Sequence, residues 1–125
     1  MIALVNGEEG AGQVLFKGGA TMWRIHLLSD GTEGPTGQVT PKGTPLDITG
    51  DTVTVELYDT ADRRNTAVKS VTVALTTPLG GYGTATFANA TVDFGPGTYW
   101  AFVKRLENTG TTAEFSRVFN TVTVK

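Results

Sequence analysis

The sequence has no cysteine and a single histidine, His26. The first absence removes disulfide staples, thiolate metal sites and cysteine nucleophiles. The second leaves little for a zinc site or a catalytic triad. Basic residues are not in excess either: ten Lys and Arg stand against twelve Asp and Glu, a formal net charge of −2. Such a chain lacks the cationic face that displaces counterions from nucleic acid or holds a polybasic segment to anionic lipid. Neither a nucleic-acid nor a membrane partner is expected. Long apolar runs are missing too. The opening Met1-Ile2-Ala3-Leu4-Val5 is apolar but stops there, short of a signal-peptide core and far short of the roughly 20 residues of a spanning helix. A chain soluble where it is made, with no secretory route, is expected. Asn89-Ala90-Thr91 fits a glycosylation acceptor, but without that route it reads as a chance match.

Threonine, valine and glycine dominate instead, and no long window carries apolar residues at the helical period. The 125 residues amount to one domain with one core. Alternation with period two, punctuated by Gly, Pro and Asp, predicts seven strands over residues 13–17, 21–28, 52–58, 68–75, 84–88, 98–105 and 114–124. Their inward sets are Trp23, Ile25 and Leu27; Val53, Val55 and Leu57; Val71, Val73 and Leu75; Ala85 and Phe87; Tyr99, Ala101 and Val103. Residues 1–12 end in Gly7-Glu8-Glu9-Gly10-Ala11-Gly12 and read as a flexible N-terminal arm before a domain over 13–125. Strand number and turn spacing predict an all-β, immunoglobulin-like sandwich of two antiparallel sheets. Val92-Asp93-Phe94-Gly95-Pro96-Gly97-Thr98-Tyr99 looks like the tyrosine corner of such sandwiches, with the Tyr99 hydroxyl bonding back to the preceding turn. Residues 29–46 form the longest stretch without a strand, and loops of that length are usually functional or disordered.

The most specific string is Gly43-Thr44-Pro45-Leu46-Asp47-Ile48-Thr49-Gly50-Asp51-Thr52-Val53. Physically it is a turn feeding a strand. Pro45 stiffens the approach, Asp47 can accept backbone N–H groups in an Asx-type turn, and Gly50 can adopt positive φ. Ile48 can plug the end of the core. Asp47, Thr49, Gly50 and Tyr99 are thus structural turn residues. The string resembles a β-sandwich module common in structural proteins of tailed bacteriophages, where Gly-x-Pro-(Leu)-Asp-(Leu/Ile)-Thr-Gly leads into an alternating strand. Phe16-Lys17-Gly18-Gly19-Ala20-Thr21-Met22-Trp23 is similar to that module's opening strands. By motif the resemblance covers residues 13–60; the rest agrees by sandwich pattern. In the module's simplest form Asp-Gly runs directly into the Pro-Leu-Asp string. Here residues 32–42 intervene, a natural place for a partner contact. The resemblance implies a virion component: a capsid decoration (cement) protein, or a tail, baseplate or neck element. It implies no catalytic residues.

Other constellations read as structure. His26 lies outward beside Arg24 without a partner and orienting group for base catalysis. Ser116 and Asp93 are present, but no Gly-x-Ser-x-Gly elbow occurs. Asp47 and Asp51 lie at the opposite end of one strand from Asp59 and Asp62, over 20 Å away. They read as turn caps rather than one calcium site. Gly7-x-x-Gly10-x-Gly12 lacks the strand-to-helix context of a phosphate loop. No enzyme activity, metal or cofactor is expected.

The aromatics carry more. If Tyr99, Ala101 and Val103 face the core, Trp100 and Phe102 face out, joined by Tyr58 from the neighbouring strand and by Phe115 and Phe119 from the last. Clustered apolar surface of that kind marks an interaction site unless a bulge flips the parity or the arm covers the patch. The expected interface is therefore Tyr58, Trp100, Phe102, Phe115 and Phe119, with Met1, Ile2, Leu4 and Val5 of the arm. The favoured reading is a homo-oligomer, a trimer, binding the major capsid protein or another virion protein; the chain's shortness and its own Met1 favour a free-standing decorating protein. It would be assembled in the bacterial cytoplasm and located in the virion. The alternative is a module that binds host-surface glycan or protein through pole loops such as 29–46 or 106–113, with Trp100 or Tyr82 stacking on sugar rings.

Overall fold

The structure, a computed structural model, describes residues 1–16, 19–31, 40–88, 95–108, 110 and 113–125. Most of the inserted loop, the Asn89-Ala90-Thr91 triplet, Asp93 and Phe94 lie outside the described residues. Among the described residues there are ten strands: β1 (Ile2–Val5), β2 (Gln13–Leu15), β3 (Ala20–Leu28), β4 (Thr52–Tyr58), β5 (Lys69–Thr72), β6 (Ala74–Thr77), β7 (Tyr82–Ala88), β8 (Gly97–Leu106), β9 (Ala113–Phe115) and β10 (Asn120–Val124). They form an all-β sandwich. One sheet has the order β1-β3-β7-β6 and the other β2-β10-β8-β4-β5, with β9 paired to β8.

The predicted alternation fills the space between the sheets. Trp23, Ile25, Leu27, Val53, Val55, Leu57, Ala85, Phe87, Ala101 and Val103 are all buried. Val71 and Leu75 pack against them half-buried. Trp23 and Phe87 meet at 4.4 Å between ring centroids. Each large side chain withdrawn from water this way contributes about 1.5–3 kcal/mol. The corner is also present: the Tyr99 hydroxyl donates to the Gly95 carbonyl at 3.0 Å.

Three expectations need correction. First, the arm is not an arm. Residues 2–5 pair antiparallel with β3, and Met1, Ala3 and Val5 enter the core. Asn6 and Gly7, at φ 53° and 88°, make a tight turn closed by the Val5 and Glu8 backbone groups. Asn-Gly is the pair such a hairpin turn demands. From there the chain crosses to the second sheet. Arg117 donates to both Glu9 carboxylate oxygens at 2.8 and 2.7 Å, and Asn120 Nδ2 donates to the Ala11 carbonyl. β2 then runs parallel to β10, so this sheet is mixed rather than wholly antiparallel.

Second, the strand expected over 68–75 divides at Val73 and serves both sheets. The Val73 N–H donates to the Val53 carbonyl, after which β6 joins β7. Gly83 makes room for this, since a Cβ there would stand 2.5 Å from Val73 Cγ1. Third, the strand expected over 114–124 is broken at 116–119. Ser116 is buried, and its Oγ accepts the Val103 N–H at 3.0 Å while its own N–H donates to the Val103 carbonyl. The hydroxyl thus supplies a ladder partner from the side chain, and the bulge leaves Val118 exposed at 39%.

The Glu9–Arg117 fork holds the crossing segment to the bulge. The Arg117 guanidinium, by hydrogen bonding, holds the Glu9 carboxyl below its ordinary pKa. A depressed folded-state pKa gives stability that is complete above the unfolded value and lost as pH falls through the folded one. Glu9→Gln is therefore expected to destabilise the protein at neutral pH, by up to about 1 kcal/mol for a partly exposed pair. In urea titrations the difference from wild type should shrink from about pH 5 downward; a difference unchanged in acid would contradict the assignment.

Candidate functional site

Three surfaces gather the residues singled out by sequence. The first is the pole formed by the Pro-Leu-Asp turn. Asp47 Oδ1 accepts the Thr49 hydroxyl at 2.6 Å and the Thr49 N–H at 3.0 Å, which lower the Asp47 pKa in that order. Ile48 is buried and its N–H donates to the Pro78 carbonyl. Gly50 has φ 76°, and a Cβ there would stand 3.1 Å from Asn108 Nδ2. Beneath the turn lies a feature that sequence reading missed. Arg105 Nε donates to Asp51 Oδ2 at 2.8 Å, with side chains only 11% and 6% exposed. Its other nitrogens lie 3.5 Å from Glu114 and 3.3 Å from the Asp47 carbonyl, and Asp51 Oδ1 accepts the Asn108 N–H. The register that sets Val53 opposite Arg105 makes this hub, and no local motif announces it. The flanks of the inserted loop return to the same pole. Ser29 pairs by backbone with Gly43 and Thr44, and its Oγ donates to the Thr40 carbonyl.

The second surface is the outer face of the larger sheet. Tyr58 stands opposite Trp100, and Glu56 opposite Phe102, as parity requires. Phe115 lies opposite the outward Lys104, and Phe119 meets Phe102 at 5.9 Å. All five rings are therefore on one face. They are not bare, however. Tyr58 and Phe102 are 3% and 6% exposed, Trp100 and Phe115 are half-buried, and Phe119 is 37% exposed. The chain covers much of the patch itself. The Arg63 guanidinium lies 5.1 Å from the Phe102 ring centroid and 4.7 Å from that of Phe115. The loop after β4 is built to hold it there. Asp62 binds Arg64 through a fork at 2.8–3.1 Å and caps the Arg64 N–H, which lowers its own pKa to about 2. Asn65 Nδ2 donates to Thr60 Oγ1. Tyr58 donates to Glu56, and burial first, then that carboxylate, push the phenol pKa up.

Of the arm residues expected at an interface, Met1, Ile2 and Val5 are buried within the subunit and Leu4 is half-buried. They are consumed by the fold because β1 is a strand of it.

The third surface is the outer face of the four-stranded sheet. One cross-strand row runs Leu4, His26, Tyr82, Thr77, and the next runs Arg24, Thr84, Ala74. His26 stacks on Tyr82, and its Nε2–H donates to the Gly80 carbonyl. The residues of both rows except Ala74 line a groove of about 580 Å³. Three of the aspartates singled out by sequence are engaged within the chain: Asp47 with Thr49, Asp62 with Arg64 and, across the sheet, Asp51 with Arg105. No group of three His, Cys, Asp or Glu side chains suited to a metal occurs among the described residues. Compared with known protein families and with curated proteins, the chain matches none.

Two outcomes follow from these contacts. Arg105→Ala leaves the partly buried Asp51 carboxyl with only the Asn108 N–H as a partner among the described residues, and should cost about 1–3 kcal/mol in urea denaturation. Arg64→Ala, which breaks an exposed pair, should change little; equal costs would refute the hub. Arg63→Ala should cost only about 0.5–1 kcal/mol yet raise binding of the apolar dye ANS, with Arg63→Lys between it and wild type. Unchanged dye binding would mean that Arg63 does not cover the rings.

Proposed function

We propose that the chain is a non-enzymatic structural protein of a tailed-phage virion, a capsid decoration protein that binds the capsid surface as a trimer and stabilises the particle. The observation that carries this reading is the string on which the phage resemblance rests, which folds as one constructed unit. Asp47 caps Thr49, Ile48 plugs the core, Gly50 takes positive φ, and Arg105 fastens Asp51. A second support is the aromatic face, where Trp100, Phe115 and Phe119 keep accessible surface around a buried Phe102. Half-covered rings with an Arg at their centre are the composition of an interface core. The N-terminal segment is removed from this mechanism because it belongs to the subunit's own sheet. Contact falls instead to the aromatic face and to the pole where the inserted loop begins and ends. A tail, baseplate or neck position uses the same surfaces and is the alternative within this reading.

Reconstruction of virus particles with and without this chain tests it. Density lost from the capsid exterior at three-fold multiplicity is the expected result. Loss at the tail or baseplate would move the protein there. A strictly monomeric chain by light scattering, absent from purified particles, would overturn the proposal.

A further inference from the structure

The groove lies across the four-stranded sheet, on the other sheet from the aromatic face on which that reading draws, and its chemistry points to a small ligand. We propose that it is a saccharide site in which a pyranose ring stacks on Tyr82, with acidic sugars preferred.

Tyr82 combines exposure with rigidity. It is 46% exposed, yet its ring lies parallel to that of His26, with centroids 3.8 Å apart and planes within 9°. His26 is fixed in turn by the 2.9 Å bond from Nε2–H to the Gly80 carbonyl. Gly80 also makes room at the ring edge, where a Cβ would come within 3.1 Å of the Tyr82 carbons. Most exposed side chains lose rotamer freedom when they bind. This ring has lost its freedom on folding, so binding costs less. One face is held against His26, and 46% of the residue's surface stays accessible to a ligand.

A sugar ring presents the complementary surface: C–H groups on its face and hydroxyls around its rim. Thr76, Thr77 and Thr84 line the groove beside Tyr82, and each hydroxyl both donates and accepts. Arg24 lies opposite Thr84 across the strands and is solvent-exposed. It supplies a permanent cation, and the groove lining contains no carboxylate. A carboxylate-bearing sugar gains a charge-assisted bond there that a neutral one does not. The volume of about 580 Å³ falls in the range of small-molecule sites, roughly 300–1,000 Å³.

The test applies the intact chain to a printed array of neutral and uronic-acid-containing oligosaccharides, followed by calorimetric titration of the best-retained one. Tyr82→Ala should weaken binding about tenfold, while Tyr82→Phe retains most of it. Arg24→Ala should weaken acidic oligosaccharides more than neutral ones, and it decides the matter if Tyr82→Ala does not fold. Trp100→Ala, on the other sheet, should leave affinity unchanged. An array on which nothing is retained would overturn the proposal. So would binding that is indifferent to both Tyr82→Ala and Arg24→Ala, or that follows Trp100. None of these outcomes depends on where the protein sits in a particle.

Discussion

The sandwich depends on the chain changing sheets at both of its flanks. β1 and β2 are consecutive in sequence, and each is an edge strand of a different sheet; so are β5 and β6. The outer edges of both sheets are thus halves of crossing segments, and the short β9, paired only to β8, lies outside them. Each crossing is fixed by its own contacts. At one flank these are the Asn6-Gly7 turn, the Glu9–Arg117 fork and the bond from Asn120 to Ala11. At the other they are the Val73 backbone bond to Val53 and the space left by Gly83. Two sheets tied this way cannot slide apart without breaking backbone pairing in both, so the core between them keeps one register. The rigid faces that carry the aromatic cluster and the Tyr82 groove follow from that register.

The same constraint directs where partners can bind. Exposed strand edges are ready templates for another chain, and proteins blunt them with short strands or covering segments. Here the edge strands β1, β2, β5, β6 and β9 are only three or four residues long. β1, β2, β5 and β6 turn into their crossings almost at once and β9 ends after three residues, so β-sheet addition has little backbone to extend. Interaction is left to the two faces and the poles, and the residues are distributed accordingly. Large apolar side chains with residual exposure, Phe119, Tyr82 and Met22, stand on the outer faces.

Side-chain period was legible in the sequence because it is local. Val53, Val55 and Leu57 alternate over a strand whose limits match the reading, and the Asx turn at Asp47 and the corner at Tyr99 are closed by atoms within a few residues. What escaped was decided at a distance. A run such as 68–75 alternates without a fault through Val73, and nothing in it tells that the ladder partner changes from β4 to β7. Ser116 gives the last strand no Gly or Pro at its break, because its hydroxyl fills the ladder position. The Arg105–Asp51 pair spans 54 residues. One signal was local and still passed over: Asn6-Gly7, which read as linker when merged with the glycines after it.

The aromatic face shows why parity predicts direction and not exposure. Five rings point away from the core as alternation demands, yet Phe102 is as hidden as many core residues. Its cover comes from a loop residue 39 positions earlier in the chain. Arg63 can lie over two rings only because the Asp62–Arg64 fork and the Thr60–Asn65 bond fix the turn on either side of it. An oily patch left bare would adhere to many surfaces. A patch capped by cations, Arg63 over Phe102 and Phe115 and Lys104 Nζ 5.9 Å from the Phe115 centroid, is more selective. In the proposed assembly the guanidinium that covers the rings also sets the chemistry a partner has to present: aromatic or apolar groups against Trp100 and Phe119 at the rim, and an acceptor for Arg63 at the centre.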